Sequence, residues 1–318
     1  MEVAIVIVNY RTADLTIACL KSLEAARTEA ALTTFVVENG SADDSEQRLR
    51  EAIRQNRWES WCELLPQAAN KGYAAGNNAA IGAALNGPTP PKFVLLLNPD
   101  TEVRSGALRE LLKFMAERPY AGIAGSRLED PDCTPQRSAF RFPTIRSELD
   151  TGLRLGIVSR LLHKWLAAPP VRNDAHATDW VAGAAMLIRR EVFERIGLLD
   201  EKYFMYFEEV DFCLQARRAG WTCWYVPASH VVHLVGQASG VTDTRKAPSR
   251  RPAYWFESRR RFFIKNRGAL AAIAADLAFS AGYVTWRMRR PLQGKPDLDP
   301  PHMLWDLLRH SPLLPRVW

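Results

Sequence analysis

Two hydrophobic periods alternate along the first hundred residues. Val3 to Val8 (VAIVIV), Thr34 to Val37 (TFVV) and Phe93 to Leu97 (FVLLL) are unbroken apolar runs rich in β-branched side chains. Short runs with no polar face predict strands buried on both sides, as in a parallel sheet. Between them, Thr12 to Ala26 sets Leu15, Cys19, Leu20 and Leu23 at helical spacing, with Asp14 in the first turn. A polar helix is expected from about Asp43 to Arg57. Such alternation predicts βαβ units, and ligands in these sheets bind beyond the carboxyl ends of the strands. Asn9-Tyr10, Glu38 to Ser41 and Asn98 to Asp100 each follow one apolar run, so they are expected to form one site.

The pattern changes after residue 138. Leu149, Leu153, Leu161 and Leu162 recur at helical spacing among Arg146, Arg154, Arg160 and Lys164, up to the breaker Pro169-Pro170. Trp180 to Ile188 (WVAGAAMLI) predicts a strand with a glycine at its bend. Glu191 to Ile196 and Glu208 to Ala219 predict helices stopped at Gly197 and Gly220. Trp224 to Val226 and Val231 to Leu234 predict short strands. Gly268 to Trp286 is mostly apolar, with Leu270, Ile273, Leu277, Ala281 and Val284 on one helical stripe and Asp276 in the middle.

Composition sharpens this division. Of the 318 residues, 47% are hydrophobic and 24% charged, which is the balance of a globular protein and excludes a disordered or fibrous chain. The net charge of +7 is unevenly spread. Residues 1–244 hold 27 basic and 30 acidic side chains, and residues 245–318 hold 15 and 5. The expected organisation is therefore a slightly acidic domain over 1–244 and a basic helical region over 245–318. Arginines flanking an apolar helix fit an anionic membrane surface. A helix packed on the first domain and a membrane span are the other readings of 268–286. Trp305 and Trp318, with Leu307, Leu308, Leu313 and Leu314, extend the interfacial character. A pI near 9.3 invites nucleic acid, but no reader motif occurs and the first three quarters are slightly acidic, so no nucleic-acid partner is expected. Cys19, Cys62, Cys133, Cys213 and Cys223 are odd in number and widely spaced, which predicts reduced thiols and a cytoplasmic chain. Met1-Glu2 leads straight into a strand, so no secretion signal is expected.

Three stretches carry candidate chemistry. Asp100 in Asn98-Pro99-Asp100 can hold a divalent cation through hard oxygens, although the same tripeptide also makes a plain turn. Phe207-Glu208-Glu209-Val210-Asp211 starts a helix with three acids. Glu208 and Asp211 share a face there, and Glu209 points about 100° away. Acids at a helix N-terminus stabilise it; beside Tyr203, Phe204, Tyr206 and Phe207 they also gain the raised pKa of a general base. His230 and His233 are candidate ligands or ordinary packed side chains. Asn70 to Asn78 is rich in small residues that let backbone approach a ligand, but the dinucleotide and P-loop glycine patterns are absent.

In order, IVIVNYRTADLTIACLKSL, VVENGSADDS, NKGYAAGNNAAI, VLLLNPDTEV, WVAGAAMLIRREVFERIGLLDEKYFMYFEEVDFCLQARRAGW and HVVHLVGQASG span about residues 3 to 240. Together they resemble the family 2 glycosyltransferases with the GT-A fold, and among them the bacterial rhamnosyltransferase-like members. SRRRFFIKNRG also resembles the family's basic segment after the catalytic domain. The resemblance implies an α/β fold of GT-A type, a Rossmann-like, mostly parallel sheet flanked by helices, with a C-terminal helical extension; residues 1–244 would be the catalytic domain, with a nucleotide-sugar half over about 1–100 and an acceptor half over about 101–244. It implies that Asn9, Tyr10, Glu38, Asn39 and Ser41 line the base and ribose, with Asn70, Gly72, Asn78 and Asn98 on the nucleotide side. Asp100 and His233 would hold Mg²⁺ or Mn²⁺, and Glu209 would be the catalytic base. Trp180, Gly183, Asp200, Glu208 and Asp211 would shape the acceptor side, and Arg261 and Lys265 are candidate clamps on the donor diphosphate. Three positions depart from the family: Asn98 replaces an acid, and Glu38 and Glu209 each replace a shorter Asp. The expected activity is inverting, metal-dependent transfer from a nucleoside-diphosphate sugar, with dTDP-rhamnose as the expected donor. The acceptor would be lipid-linked or a polysaccharide, at the inner face of the cell membrane. An inactive or weak nucleotide-sugar-binding protein of the same fold is the alternative that the departures keep open.

Overall fold

The computed structural model describes residues 2–234 and 249–314. Its strands and helices run β1 (Val3–Asn9), α1 (Ala13–Ala26), β2 (Leu32–Glu38), α2 (Ser45–Gln55), β3 (Cys62–Pro66), α3 (Tyr73–Asn86), β4 (Phe93–Leu97), β5 (Thr101–Val103), α4 (Ala107–Glu117), β6 (Ala121–Glu129) and β7 (Ala139–Phe140). They continue as α5 (Ile145–Leu153), α6 (Gly156–Leu161), β8 (His176–Thr178), β9 (Trp180–Val181), β10 (Ala185–Arg189), α7 (Arg190–Ile196), α8 (Glu208–Arg218), β11 (Thr222–His233), α9 (Ala253–Arg267), α10 (Ala269–Leu292) and α11 (Met303–Arg309). Two compact units result. The first holds the described residues up to Phe140, Pro170–Phe204 and Glu208 to Leu234; the second holds Arg141–Pro169, Met205–Phe207 and the described residues from Ser249. The expected boundary at 244/245, the end of HVVHLVGQASG and Trp318 lie outside the described residues.

The first unit is a mixed sheet flanked by helices. Among the described residues nine strands form it, in the order β3-β2-β1-β4-β10-β6-β11-β5, with β8 on β11. The half from β3 to β4 is parallel, as the apolar runs predict. β10 is antiparallel to both of its neighbours, so the sheet is less parallel than expected. VAIVIV is buried throughout. Val3, Ile5 and Ile7 join the core made with Leu20 and Leu23 of α1 and Leu108 and Leu111 of α4. On the opposite face, α3 brings Gly76 against Val8. Burying each such aliphatic side chain contributes about 1.5–3 kcal/mol.

Two strand expectations are corrected. WVAGAAMLI is two strands, β9 and β10, broken at Ala182–Ala184. Trp224 to His233 is not two short strands but part of one long strand, β11, whose register against β6 shifts between Val226 and His230, and Leu234 lies beyond it. The cysteines are free thiols, buried at 19, 62, 213 and 223 and exposed at 133.

The second unit is helical. Thr144 and Ser147 cap α5 reciprocally. α5 and α10 cross closely at Gly152 and Gly282, where a β-carbon would lie 2.5 Å from Phe279 O and 2.7 Å from Leu149 O respectively. Phe256, Phe279, Tyr283, Trp286, Met303 and Leu307 form the unit's apolar core. Arg259, set among headgroup cations by the sequence pattern, is instead buried, bonded to Asp276 of α10 and, at 2.7 Å, to Glu148 of α5. Asp276 is thus a packed partner inside the unit and not a stray charge on an apolar helix.

Candidate active site

The carboxyl ends of β1, β2 and β4 finish on one edge, because Asn9 lies level with Glu38 and Ile7 with Leu97. Asn9 is fully buried. Its Oδ1 accepts from the Thr12 and Thr16 hydroxyls at 3.2 and 3.0 Å, and its Nδ2 lies 3.5 Å from Ser41 Oγ. Glu38 Oε1 accepts from the Ser41 amide at 2.9 Å, and Ser41 Oγ accepts from the Arg11 amide at 2.9 Å. The Arg11 guanidinium lies over the half-buried Tyr10 ring, 5.2 Å from its centroid. Asn39 Nδ2 donates to Asn70 Oδ1 and to Gly72 O, both at 3.1 Å. Asn9, Glu38, Asn39 and Ser41 therefore form one buried polar cradle, with Asn70 and the Tyr10 ring half-buried at its edge.

Gly72 closes that cradle. Its φ is +97°, and a β-carbon there would lie 2.2 Å from Phe204 O, so glycine is required on both counts. Asn78 does not join the cradle. Its amide bonds Leu199 O at 2.8 Å and Glu201 Oε1 at 3.0 Å and accepts from the Leu199 amide at 3.0 Å, tying α3 to the loop after α7.

Asp100 and His233 come together through β5 and β11, which pair Thr101 with His233. Asp100 is 3% exposed, and its Oδ1 lies 3.6 Å from His233 Nε2. A hard carboxylate oxygen and an imidazole nitrogen at that separation suit two ligands of one divalent ion. Among the described residues no group of three His, Cys, Asp or Glu forms a fuller cage. Two protein ligands leave positions for water and phosphate oxygens, which is how Mg²⁺ is commonly held. His230 is engaged elsewhere, with Nδ1 2.9 Å from Glu129 Oε2.

Glu208 and Glu209 begin α8, preceded by Tyr206 and Phe207, both with left-handed φ near +70°. Consecutive strained residues of this kind cluster at functional turns. Glu208 is buried, and one oxygen of each carboxyl is buried without a hydrogen-bond partner. Burial raises both carboxyls above the ordinary glutamate value, Glu208 the more, because the adjacent Glu209 charge adds to it. Hydrogen bonds from its own amide and that of Val210 oppose the rise at Glu209.

Tyr73 is the residue that sequence reasoning passed over. Its buried hydroxyl donates to Asn98 Oδ1 at 3.0 Å or Gly183 O at 3.3 Å. Burial and the Glu208, Glu209 and Asp100 charges push its pKa up, so it remains a phenol. A β-carbon at Gly183 would lie 3.4 Å from that hydroxyl and 3.8 Å from Glu209 Cβ. Tyr73 thus ties the loop that carries Asn98 to Gly183, the glycine beside Glu209. The available signal was its place directly after Gly72 in NKGYAAGNN.

The other expected residues have contacts of their own. Trp180, on a strand packed against α8, stacks on Phe140 at 4.3 Å. Asp200 caps a turn by accepting from the Lys202 amide at 3.1 Å, and the buried Asp211 accepts from Gln215 at 3.3 Å. Arg261 and Lys265 lie on α9 of the second unit.

The chain belongs to glycosyl transferase family 2, whose sequence model matches residues 4–197. It is 29% identical over 227 residues to an N-acetylglucosaminyl-diphospho-decaprenol L-rhamnosyltransferase of Mycobacterium tuberculosis, covering 67% of this chain and 70% of that protein. It is 30% identical over 165 residues to the rhamnosyltransferase WbbL of Escherichia coli, covering 51% and 60%. In fold it resembles the crystal structure of GalNAc-T7 with UDP, GalNAc and Mn²⁺, with a TM-score of 0.60 at 14% identity, covering 98% of this chain and 54% of that one. The fold is GT-A.

Proposed function

We propose that the first unit, with the residues up to about 244, is an inverting rhamnosyltransferase. It moves a sugar from dTDP-rhamnose to a lipid-linked or polysaccharide acceptor at the inner face of the cell membrane. The observation that carries the reading is the place of Glu209 at the start of α8, where a β-carbon on Gly183 would lie 3.8 Å from Glu209 Cβ and 3.4 Å from the Tyr73 hydroxyl. Glu209 takes the proton of the acceptor hydroxyl, whose oxygen forms a bond to the anomeric carbon as the bond to the diphosphate breaks on the opposite face. The cradle of Asn9, Glu38, Asn39, Ser41 and Asn70 holds the nucleoside. Asp100 and His233 would hold Mg²⁺ or Mn²⁺, which when bound offsets charge on the departing diphosphate. Rhamnose as the sugar is supported by the names of both curated relatives.

A thermal-shift series with UDP, dTDP and GDP, each with and without Mn²⁺, tests the donor assignment, since a ligand bound only by the native state raises the melting temperature. The expected result is that dTDP gives the largest shift, that the shift needs Mn²⁺, and that Asp100→Asn removes the Mn²⁺-dependent part. A larger shift with UDP or GDP would overturn the dTDP assignment.

Tyr73→Phe removes the donor shared by Asn98 and Gly183. It is expected to cost about 1–3 kcal/mol in stability and to lower kcat about tenfold with little change in donor KM. Chemical denaturation and steady-state kinetics check both.

A further inference from the structure

Helix α10 is apolar on two sides: one packs in the core with Phe279, Tyr283 and Trp286, and the other is turned to solvent. Among the described residues, Leu270, Leu277, Ala281, Val284, Met288 and Leu292 lie within one face at 100° per residue. That face is the exposed one: Leu270, Met288 and Leu292 are 84%, 71% and 88% exposed. A helix half-exposed to water normally turns charge outward. Here Thr285 at the border is the polar side chain nearest the stripe. The face borders an open groove of about 780 Å³ between α10 and α11, lined by Val284, Met288 and the exposed Trp305 and also by Arg287, Asp297 and Asp299.

Charge selects the partner. Arg287 and Arg290 are paired with Asp297, and Asp276 is buried against Arg259, so the charges exposed at the two ends of the stripe are cationic. Lys265 and Arg267 are exposed at one end of α10, and Lys295 just beyond the other. A second copy of this face would bring like charges together at both ends of the stripe. An anionic bilayer surface takes the cations at its headgroups and the apolar stripe at the acyl boundary.

The packing also decides orientation. The helix is long and apolar enough to cross a bilayer by length and composition. However, its other faces are covered by α5 at Gly152 and Gly282, by Arg259 of α9, and by Met303 and Leu307 of α11. A span would set the Arg259–Glu148–Asp276 cluster and the charged α5 and α9 in hydrocarbon. We infer that the outer face of α10, with Trp305, lies flat in the headgroup region of an anionic membrane and does not cross it. This rests on the reading that the protein works at a membrane face, and it identifies the surface that does the docking.

The test is co-sedimentation of the full chain with phosphatidylcholine vesicles, with and without about one third phosphatidylglycerol. Wild type is expected to bind the anionic vesicles and to be released by alkaline carbonate. Replacing Leu270→Asp with Met288→Asp, or the milder Leu270→Ser with Met288→Ser, is expected to weaken binding at least about tenfold. The melting temperature and transfer to a water-soluble acceptor should stay unchanged. No binding by wild type, or equal binding by both double variants, would overturn the docking face. Retention after carbonate would overturn the in-plane orientation. A dimer in sedimentation velocity that the substitutions dissolve would assign the face to a second copy. Vesicle binding without sugar transfer would leave this surface standing and remove the catalytic reading, so the two fail separately.

Discussion

Glu209→Gln is expected to lower the rate of sugar transfer by about three orders of magnitude while leaving donor affinity nearly unchanged. Glutamine keeps the length and most of the shape of the side chain but cannot accept the acceptor's proton, and positioned bases contribute about 10²–10⁴-fold. Donor affinity should survive because the cradle from Asn9 to Asn70 makes its hydrogen bonds without Glu209. The same assignment fixes the sign of the pH dependence. Glu209 acts only when ionised, and burial raises its pKa above the ordinary glutamate value. Activity must therefore fall, as the pH drops, at a higher pH than an ordinary glutamate would give, and Glu209→Gln should show no such limb. Stability has the opposite sign. Both carboxyls bind protons more tightly folded than unfolded, so the pair favours folding below the ordinary value and loses that advantage as pH rises through the raised ones. Steady-state kinetics over a pH series, with calorimetric titration of the donor nucleotide, checks these statements.

Arg259→Met is expected to be the most damaging single change to the second unit, costing about 3–5 kcal/mol. Arg259 is 3% exposed, stacks beneath Phe263 at 5.1 Å and carries the only cation bonded to both Glu148 and Asp276 among the described residues. Removing it leaves two carboxylates facing each other across a dry helix junction. Methionine fills much of the volume, so the loss should come from uncompensated charge and not from a cavity. The triple change Arg259→Met, Glu148→Gln, Asp276→Asn should therefore cost clearly less than Arg259→Met alone. Denaturant unfolding of the three-way series measures this. Equal or greater loss in the triple variant would show that packing, and not charge balance, is what Arg259 supplies.

The elements most legible from sequence were those whose burial is uniform. VAIVIV and FVLLL have no polar face, and their ends pointed to one site edge, where Asn9, Glu38 and Asn98 now stand. The long strand β11 was read as two pieces because its register shift interrupts the pattern between Val226 and His230. Tyr73 was missed for a different reason: its partners are 25 and 110 residues away in sequence, and no local period encodes a contact of that range. Asn78 was assigned by motif, but its amide is spent on a loop more than a hundred residues away. Arg259 looked like its neighbours in SRRRFF, because a charge run does not say which member turns inward. In each case the partner was set by the tertiary fold.

The most direct measurement of the central claim is the product of a single reaction. The full chain, Mn²⁺, a dTDP-rhamnose donor and a polyprenyl-diphosphate-linked sugar acceptor are combined, and the anomeric configuration of the transferred sugar is read by NMR. The account predicts transfer with inverted configuration, release of the nucleoside diphosphate, and loss of both in Glu209→Gln. Retained configuration, or transfer at the wild-type rate by Glu209→Gln, would contradict it.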